Sequence, residues 1–456
     1  MAAFHRTVGR LRALPLDHPD RLRAEQVAAS FVRDGRHRRR KDRHQDMTRA
    51  DAALTATTVT GAADRREDAP LALPAQRGPV GTLHRARHCY VCKVAYRRLD
   101  GFYHLLCPTC AADNAARRSL TCDLRGRRVL LTGGRVKIGF QLALMMLRDG
   151  ADLTVTSRFP HDTVRRFRAA EGSAEWFDRL TVVGIDLRDP RQVLGLCERL
   201  RADGRPLDIL VNNAAQTLRR PPESYALLAA GEHGGLPAGA RVLHAPGFRP
   251  MPALTGAWPA AELSPADMSQ HDLAPAGPGG RVPAVADEAG LLPDAAPENS
   301  WSATLGALEP AEVLETQLVN ALAPALLCDR LLPLLLASPH RNRYIVNVSA
   351  VEGRFAVRNK TPRHPHTNMA KAALNMLTRT SAARLAEQGV HMCAVDTGWI
   401  TDENPAPRKS RIAAHGFRTP LDIVDGAARI YDPIVRGEAG DPLSGVFLKD
   451  YQVADW

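Results

Sequence analysis

The chain has 456 residues, of which 45% are hydrophobic, and a formal net charge of +12. This length allows two or three domains with a sizeable core. No apolar run approaches the ~20 residues of a membrane span, so the sequence predicts no membrane association. The start, MAAFHRTVGRLRALPL, lacks the apolar region of a secretory signal, and we therefore expect a cytoplasmic protein.

The N-terminal region, residues 1–80, is rich in Arg and Ala and shows little apolar periodicity. We expect a basic, disordered region with a short helix at about 20–33. Much of the net charge lies in the run RDGRHRRRKDRH at 33–44. Such a run offers phosphate contacts without base readout. A solvated face is therefore the expected role, and nucleic acid is not expected as a partner.

A Cys-rich module follows, with bounds of about 81–120. CYVC at 89–92 and CPTC at 107–110 form the pattern C-x2-C-x14-C-x2-C. Two such pairs of thiolates can close a tetrahedral zinc site with no open position, so the sequence predicts a structural zinc ion in a zinc-ribbon-like module. The predicted ligands are Cys89, Cys92, Cys107 and Cys110. His88 and His104 are alternative ligands, and nearby aromatic residues are candidates for an exposed docking face.

The sequence pattern changes from about residue 121. Short runs rich in Val, Ile and Leu alternate with amphipathic stretches up to the C-terminus. The runs are RRVLLTGG, ADLTVTSR, RLTVVGIDL, PLDILVNNAA, RYIVNVSA, VHMCAVDTGW and SGVFLKD. Near-continuous apolar strands that alternate with helices are typical of a parallel sheet covered on both faces, so residues 121–456 are predicted to form a doubly wound α/β domain, a Rossmann fold.

One interval breaks this alternation. Residues 217–311 are rich in Pro, Gly and Ala and have no convincing period. A loop of this length inside a compact domain is either functional or disordered. We interpret it as an insertion that follows the fourth strand and hangs over the ligand-binding edge of the sheet.

The first strand leads into a glycine-rich turn, LLTGGRVKIG at 130–139, which opens a helix. Glycines allow a pyrophosphate to approach the N-terminus of that helix, where free N–H groups favour anions. Thr132, Gly133 and Gly139 fit the pattern T-G-x-x-x-G-x-G, and Lys137 replaces the middle glycine. Its Cβ crowds the phosphate approach, although its ammonium adds a positive charge.

Further candidate residues follow other strands or lie on the helices between them. Asp186 follows the third strand, where it would meet an adenine amino group, and Asn213 lies in VNNAA after the fourth. All these positions are at or just beyond the carboxyl ends of strands, where open α/β sheets bind ligands. The remaining candidates are Asn320, Ser349, Lys371 and Thr397.

Together these ordered motifs resemble the short-chain dehydrogenase/reductase superfamily over about 125–456, apart from the insertion. The chain also resembles a divergent subgroup that carries a Cys-rich N-terminal extension and the stretch HPHTNMAKAALNM at 364–376. Members that prefer NAD usually have an acidic residue at the end of the second strand. Here Ser157 and Arg158 occupy that place, with Arg135 in the glycine turn, and an arginine suits the 2′-phosphate of NADP.

The resemblance implies an Asn-Ser-Tyr-Lys catalytic set, which this chain matches in part. Asn320 and Lys371 match, whereas Ala350 occupies the serine position with Ser349 one place earlier. Thr367 occupies the tyrosine position. An aliphatic alcohol is a far weaker acid than a phenol, so another group is expected to donate the proton. The candidates are His364, His366 and Tyr225 in the insertion.

Three functions remain open from the sequence. The first is an NADP-dependent oxidoreductase with an atypical active site, whose small-molecule substrate the sequence does not identify. The second is a non-catalytic NADP-binding sensor or scaffold that docks through its zinc module. The third is a nucleic-acid-binding zinc protein with a vestigial Rossmann domain. We also expect a homo-oligomer.

Overall fold

The computed structural model describes residues 1–75, 78–250, 286–292, 296–357 and 360–456. Part of the predicted insertion, 251–285 and 293–295, lies outside these described residues. The strands of the described part are β1 (Pro79–His88), β2 (Ala95–Asp100), β3 (Arg128–Leu131), β4 (Asp152–Ser157), β5 (Leu180–Gly184), β6 (Ile209–Asn212), β7 (Arg241–His244), β8 (Arg343–Ser349), β9 (Val390–Asp396), β10 (Phe447–Lys449) and β11 (Gln452–Ala454).

The helices complete this inventory. They are α1 (Ala2–Arg12), α2 (Pro19–Ala56), α3 (Pro108–Arg117), α4 (Lys137–Arg148), α5 (Pro160–Ala169), α6 (Ser173–Trp176), α7 (Pro190–Ala202), α8 (Ala226–Gly231), α9 (Pro310–Gln317), α10 (Ala323–Leu336), α11 (Pro365–Glu387), α12 (Ala406–Ala414) and α13 (Ile423–Glu438). A π-helical turn, Leu318–Leu322, joins α9 to α10.

One large sheet organises the main domain. Within the described residues its strand order is β11-β10-β9-β8-β6-β3-β4-β5-β7. The neighbouring strands are parallel, except for the hairpin of β10 and β11. The chain order reverses between β3 and β6, the point where sheets of this kind bind ligands. The prediction of a Rossmann-like α/β fold with a mostly parallel sheet is confirmed.

Helices cover both faces of this sheet, because successive residues of a strand face opposite layers. On β3, Val129 and Leu131 pack in a core cluster with side chains of α4 and α13. Leu130, between them, packs in a second cluster with α7, α10 and α11. Each β3 side chain therefore enters an apolar layer, which explains why the strand lacks polar alternation.

The continuous helical segment Pro310–Leu336 is long and apolar enough to cross a membrane by length and composition. Half of its apolar window is buried within the protein. Leu327 and Leu331 of this segment are buried in the second core cluster, against α7 and β8. In this structure the segment is a core helix of the doubly wound domain.

The N-terminal region differs from its predicted disorder. The structure has α1 and the 38-residue helix α2 here, where the sequence predicts only a short helix at about 20–33. Arg, Ala, Lys and Gln all have high helix propensity, and no proline interrupts residues 20–56. Because α2 lacks an apolar face, periodicity does not reveal it. Its C-terminal end is anchored by Asp51, whose carboxylate accepts hydrogen bonds from the backbone N–H groups of His84 and Arg85.

The Cys-rich module consists of the β1–β2 hairpin and α3. The prediction that its aromatic residues form an exposed docking face is wrong. Tyr96, Phe102 and Tyr103 are buried and form the core of the module, in one cluster with Ile400 and Leu421 of the main domain. The module is too small to bury these rings alone, so it buries them against its neighbour.

The predicted insertion contains regular structure that the sequence does not indicate. Its residues form α8 and also β7, which pairs in parallel with β5 and becomes an edge strand of the large sheet. Four residues are too few to show an alternating pattern, and a helix as short as α8 is equally hard to recognise.

Candidate active site

The glycine turn between β3 and α4 is shaped by close backbone contacts. Gly133 has φ +72°, and a Cβ atom there would lie 2.9 Å from the Cα of Ala214. A Cβ at Gly139 would lie 2.1 Å from the carbonyl oxygen of Gly133 and 2.6 Å from Nδ2 of Asn213. Only glycine fits at these two positions, so the turn requires both of the glycines that the sequence singles out.

Thr132 and Asn213 tie this turn to the end of β6. Oγ1 of Thr132 accepts hydrogen bonds from the backbone N–H groups of Asn213 and Ala214, both at 3.0 Å. Nδ2 of Asn213 donates to the carbonyl oxygens of Thr132 and Gly133, also at 3.0 Å. Both side chains therefore shape the cradle for a cofactor through bonds within the protein.

The end of β4 carries the predicted phosphate-binding residues. Ser157 Oγ accepts a hydrogen bond from the backbone N–H of Phe159 at 3.0 Å. The guanidinium groups of Arg135 and Arg158 lie 5.3 and 5.8 Å from the centre of the Phe159 ring. Arg135 is already paired with Asp162 at 2.8 Å. Among the described residues Arg158 has no carboxylate within 4 Å, so its positive charge is available to a ligand.

Asp186, predicted to meet adenine, lies just beyond β5 and is buried. Its carboxylate binds the guanidinium of Arg188, with Nη2 2.6 Å from Oδ2. Burial alone would raise the pKa of Asp186, but the hydrogen bonds and charge of Arg188 lower it below its ordinary value. Asp186 is therefore a charged group at this edge of the sheet.

Asn320 lies in the π-helical turn and is fully buried. Oδ1 accepts a hydrogen bond from the backbone N–H of Gln216 at 2.7 Å, and Nδ2 donates to the carbonyl oxygen of the same residue at 2.8 Å. The amide thus fixes the segment that leaves β6. π-helical turns are often found at functional sites, and here the extra residue brings the amide to this segment.

Lys371 projects from α11 toward the end of β8. Its Nζ donates a hydrogen bond to the carbonyl oxygen of Val348 at 2.8 Å, and burial lowers the pKa of Lys371 to about 8. A Cβ atom at Gly353 would lie 2.8 Å from the backbone of Lys371, so the glycine lets the turn after β8 pack against this residue. The lysine predicted as catalytic is thus held at the carboxyl edge of the sheet.

Ser349 has a different environment from the one that its predicted role requires. It is buried at the end of β8, and its Oγ donates a hydrogen bond to Oδ1 of Asn375 on α11 at 2.6 Å. Asn375 was not identified from the sequence, because a single asparagine inside an apolar helix gives no signal. This bond holds the hydroxyl of Ser349 against α11.

Thr367 and His366 are buried at the start of α11, with exposed fractions of 6% and 0%. Neither Thr367 Oγ1 nor either ring nitrogen of His366 has a hydrogen-bond partner among the described residues. Buried polar atoms are usually satisfied, so unsatisfied ones concentrated here mark a place where a polar ligand or water can bind. Burial lowers the pKa of His366 below its ordinary value.

The other two candidate proton donors are engaged elsewhere. His364, the N-cap of α11, stacks on Trp301 with ring centres 4.1 Å apart, and its Nδ1 lies 2.9 Å from the carbonyl oxygen of Trp301. Tyr225 has its hydroxyl 3.4 Å from the guanidinium of Arg158, at the end of β4. Because β4 lies three strands from β8, roughly 14 Å away, Tyr225 is not placed to donate a proton beside Lys371. That prediction is wrong.

Asp396 is an acidic residue of this edge to which the sequence gave no role. It ends β9 beside Ser349, is buried, and accepts a hydrogen bond from the backbone N–H of Val351 at 2.9 Å through Oδ1. Its Oδ2 has no partner among the described residues. Burial raises the pKa of Asp396 to about 6. Thr397, a predicted cofactor residue, follows it and is half-buried.

The four cysteines of the module come together as a group. Their Sγ atoms all lie within 4.8 Å of one another, and those of Cys92 and Cys107 are 3.7 Å apart. A tetrahedral zinc ion with Zn–S bonds of about 2.3 Å requires sulfur–sulfur distances of roughly 3.8 Å, so the group fits one such ion. His104 instead contacts Oγ1 of Thr60 at 2.8 Å through Nδ1, and His88 contacts the carbonyl oxygen of Lys93.

Two family models match separate parts of the chain, and both matches extend into the predicted insertion. The model of short chain dehydrogenases matches residues 127–227, and that of enoyl-(acyl carrier protein) reductases matches residues 281–416. Together the matches cover just over half of the chain. The main domain is therefore similar in sequence to short-chain dehydrogenases and reductases, which supports an NAD(P)-dependent oxidoreductase.

Individual relatives are similar to different shares of the chain. The chain is 29% identical over 366 residues to an uncharacterised protein of Acanthamoeba polyphaga mimivirus, an alignment that covers 76% of this chain and 71% of the relative. It is 34% identical over 130 residues to a probable oxidoreductase of Streptomyces antibioticus, covering 27% of this chain and 41% of that protein. The C-signal protein of Myxococcus xanthus is 27% identical over 136 residues, covering 30% of this chain and 80% of its own length.

The comparison with solved structures matches the chain to two proteins that contain NADP or NADPH. The NADPH-bound carbonyl reductase from chicken fatty liver is 17% identical, with a TM-score of 0.45, and the alignment covers 73% of this chain and 100% of that one. A short chain dehydrogenase from Burkholderia cenocepacia in complex with NADP is 20% identical, with a TM-score of 0.44, covering 72% and 97% of the two chains.

The raised pKa of Asp396 leads to a prediction about stability and pH. Between about pH 4 and pH 6 the native protein keeps a proton that the unfolded chain releases, so this group's contribution to stability is present below pH 4 and is lost as the pH rises through about 6. Asp396→Asn should remove that dependence. In urea unfolding, the free energy of unfolding of the variant minus that of the native protein should rise from pH 4 to pH 6 and then level off.

Ionisable groups common to both proteins cancel in this difference. Asp441→Asn, which changes an exposed carboxylate, serves as the control and should show a nearly flat difference over the same pH range. A flat difference for Asp396→Asn would contradict the raised pKa.

Proposed function

We propose that the protein is an NADP-dependent oxidoreductase of the short-chain dehydrogenase/reductase type with threonine in place of the usual catalytic tyrosine. The observation that carries the proposal is the retention of buried Lys371 and Asn320 at the carboxyl edge of the sheet, while the tyrosine position holds Thr367. When bound, NADPH supplies a hydride to a carbonyl carbon. The chain must hold the cofactor, orient the carbonyl group and provide a proton.

The preference for NADP rests on the end of β4. Ser157 and Arg158 occupy the place where a carboxylate would hold a ribose hydroxyl of NAD. The aromatic rings of Phe159 and Tyr225 lie within 6 Å of the Arg158 guanidinium and limit its freedom. A planar, partly ordered guanidinium without a carboxylate partner suits a 2′-phosphate.

The proton donor that we propose is His366, which adjoins Thr367 at the start of α11. Of the three candidates, His366 alone combines a titratable ring with unsatisfied nitrogens beside Thr367. Lys371 would hold the ribose of the cofactor. Because its lowered pKa of about 8 is still above 7, Lys371 is positively charged in most molecules at neutral pH. Asn320 acts as a positioning residue, because its amide is bonded to Gln216.

A second function is favoured by one specific observation. Ser349, the hydroxyl nearest to the family's serine position, donates a hydrogen bond to Oδ1 of Asn375, and the tyrosine is replaced. An engaged serine hydroxyl together with a missing phenol is expected for a non-catalytic NADP-binding sensor or scaffold. Cofactor binding without turnover would identify this second function.

We also propose that Cys89, Cys92, Cys107 and Cys110 hold a structural zinc ion. We call residues 89–92, which carry the first pair of cysteines, the knuckle. It lies against the segment that follows β9, because the hydroxyl of Tyr90 accepts a hydrogen bond from the backbone N–H of Trp399 at 2.9 Å. A metal that fixes this knuckle would also fix the segment that follows β9. The predicted homo-oligomer stays a prediction, supported by the exposed stripe of Met369, Ala373 and Met376 on α11.

The first test concerns the choice of cofactor. NADPH should bind more tightly than NADH, and Arg158→Ala should remove most of that preference. The expected loss of NADPH affinity is about 10- to 100-fold, the value of a charge-assisted interaction of ~1.5–3 kcal/mol. Arg168→Ala, at an exposed position of α5, is the matched control and should bind both cofactors normally. Equal dissociation constants for NADPH and NADH in the native protein, measured by fluorescence titration, would remove the argument.

The second test concerns the metal. Elemental analysis of the native protein should find about one zinc ion per chain. Cys107→Ser should lose the metal and lower the melting temperature, since the module has little core of its own. Cys122→Ser, which changes a half-buried cysteine outside the group, should keep the zinc. A native protein that contains no zinc and melts at the same temperature as Cys107→Ser would rule out the zinc site.

The third test concerns the proton. His366→Gln should lower the rate of carbonyl reduction by roughly 10²–10⁴-fold, the usual contribution of a general acid, without changing NADPH binding. Thr367→Val should cost less, since an aliphatic alcohol is too weak an acid to be the proton donor itself. Thr367→Tyr should introduce weak reductase activity on simple ketones if the geometry is that of the family.

Rates are to be measured by NADPH oxidation over a panel of ketones and aldehydes, with binding measured in parallel. Equal turnover in His366→Gln and the native protein would exclude the histidine. NADPH binding with no turnover in the native protein, together with activity in Thr367→Tyr, would favour the sensor.

A further inference from the structure

A short segment of the N-terminal region lies against the start of α4 and the segment that follows β9. We call residues 65–71 the strap. At one end, a guanidinium nitrogen of Arg65 donates a hydrogen bond to the carbonyl oxygen of Thr419 at 2.6 Å. At the other end, the backbone N–H of Leu71 donates to the carboxylate of Asp422 at 2.8 Å. Both ends are therefore fixed to the approach to α13.

Between these ends, Asp68 reaches two elements of the cofactor edge. Its Oδ2 lies 3.1 Å from Nζ of Lys137, at the start of α4. Its Oδ1 accepts a hydrogen bond from Oγ1 of Thr401, in the segment after β9, at 3.0 Å. Glu403 lies 3.9 Å from the same ammonium group. One lysine thus faces two carboxylates, and the strap supplies the nearer one.

Lys137 occupies a position at which its backbone is unfavourable. Its φ is +54°, in the left-handed region that L side chains rarely adopt. It also stands where the glycine turn would ordinarily have its middle glycine. Burial alone would lower the pKa of Lys137, but the carboxylates of Glu403 and Asp68 raise it above its ordinary value. The residue is a cation held at the N-terminus of α4, where free N–H groups already favour an anion.

We propose that Asp68 is a residue of the cofactor site and that the pyrophosphate of the dinucleotide replaces it as the partner of Lys137. This inference rests on the proposed NADP function. With Asp68 in place the ammonium is already neutralised, and Glu403 adds a further negative charge, so an incoming pyrophosphate must displace the strap carboxylate. Repulsion between these carboxylates and a pyrophosphate beside Lys137, in a partly buried site, weakens the binding of the dinucleotide substantially.

The exchange also affects the strap itself. Two contacts hold the carboxylate of Asp68 in place, one with Lys137 and one with Thr401. When the contact with Lys137 is lost, only the hydrogen bond from Thr401 remains. Arg65 and Leu71 keep the ends of the strap fixed, so only its middle moves. Cofactor binding is thereby linked to the segment that follows β9, which the Cys-rich module contacts through Tyr90.

The test measures NADPH binding to the full chain by fluorescence titration. Asp68→Asn, which keeps the size and removes the charge, should bind NADPH about tenfold more tightly, equivalent to ~1.4 kcal/mol. Glu67→Gln is the matched control, because it makes the same change on the strap while its carboxylate faces Lys409 at 3.8 Å. It should bind within about twofold of the native protein.

A double-mutant cycle identifies the partner. Lys137→Met should bind NADPH more weakly, and adding Asp68→Asn to it should change the affinity little, because the competing pair is gone. In the native protein, hydrogen exchange of residues 65–71 should become faster when NADPH binds. Unchanged or weaker NADPH binding in Asp68→Asn, at an unchanged melting temperature, would overturn the proposal.

Inorganic pyrophosphate separates this inference from the proposed function. If Asp68→Asn binds pyrophosphate more tightly than the native protein while neither binds NADPH, the anion exchange stands and the NADP function fails. If NADPH binds to the native protein but neither ligand responds to Asp68→Asn, the NADP function stands and the exchange fails. Absence of binding for both ligands in every variant would overturn both.

Discussion

A buried ion cluster at the start of α13 fixes the N-terminal extension to the main domain. Arg118 lies 2.5 Å from a carboxylate oxygen of Asp422 and 3.0 Å from one of Asp425, and all three side chains are almost fully buried. Asp422 also caps α13 and accepts the backbone N–H of Leu71. Buried charges need partners that form hydrogen bonds or ion pairs with them. Here the cap of α13, the strap and the Cys-rich module all bind to the carboxylates of Asp422 and Asp425. Displacing any of them leaves a charge uncompensated.

This docking determines what the extension can reach. With α3 and the strap held at α13, the cysteine knuckle contacts the segment after β9 through Tyr90, and Asp68 contacts the glycine turn through Lys137. The carboxyl edge of the sheet is therefore bordered by two parts of the chain. The main domain supplies the glycine turn and the strand ends, and the extension supplies polar groups that the domain alone lacks.

The sequence allowed the fold of the main domain to be predicted because its signals are local. The seven apolar runs became β3–β6 and β8–β10, and Gly133 and Gly139 were recognised from a turn that only glycine permits. The cysteine group was predicted from its spacing and the NADP-binding residues from the family resemblance, and the structure adds what each of these side chains touches.

Other features depend on contacts between segments far apart in the chain, and these could not be predicted. The aromatic residues of the Cys-rich module look exposed in so short a segment, yet Phe102 and Tyr103 are buried against Ile400 and Leu421. Tyr225 was placed over the active site because it follows β6, but the path of the insertion brings it to β4 instead. The roles of Asp68 and Asp396 likewise follow from tertiary packing, as neither residue belongs to a recognisable motif.

The strand β7 has a consequence for the solubility of the domain. Without the insertion, β5 would be the last strand of the sheet, and its sequence LTVVG would present unpaired backbone groups beside apolar side chains, a template for association between molecules. β7 pairs with that edge. The new border is only four residues long and carries Arg241 and His244 at its ends. A segment that interrupts the alternation of strands and helices therefore protects the sheet against edge-to-edge aggregation.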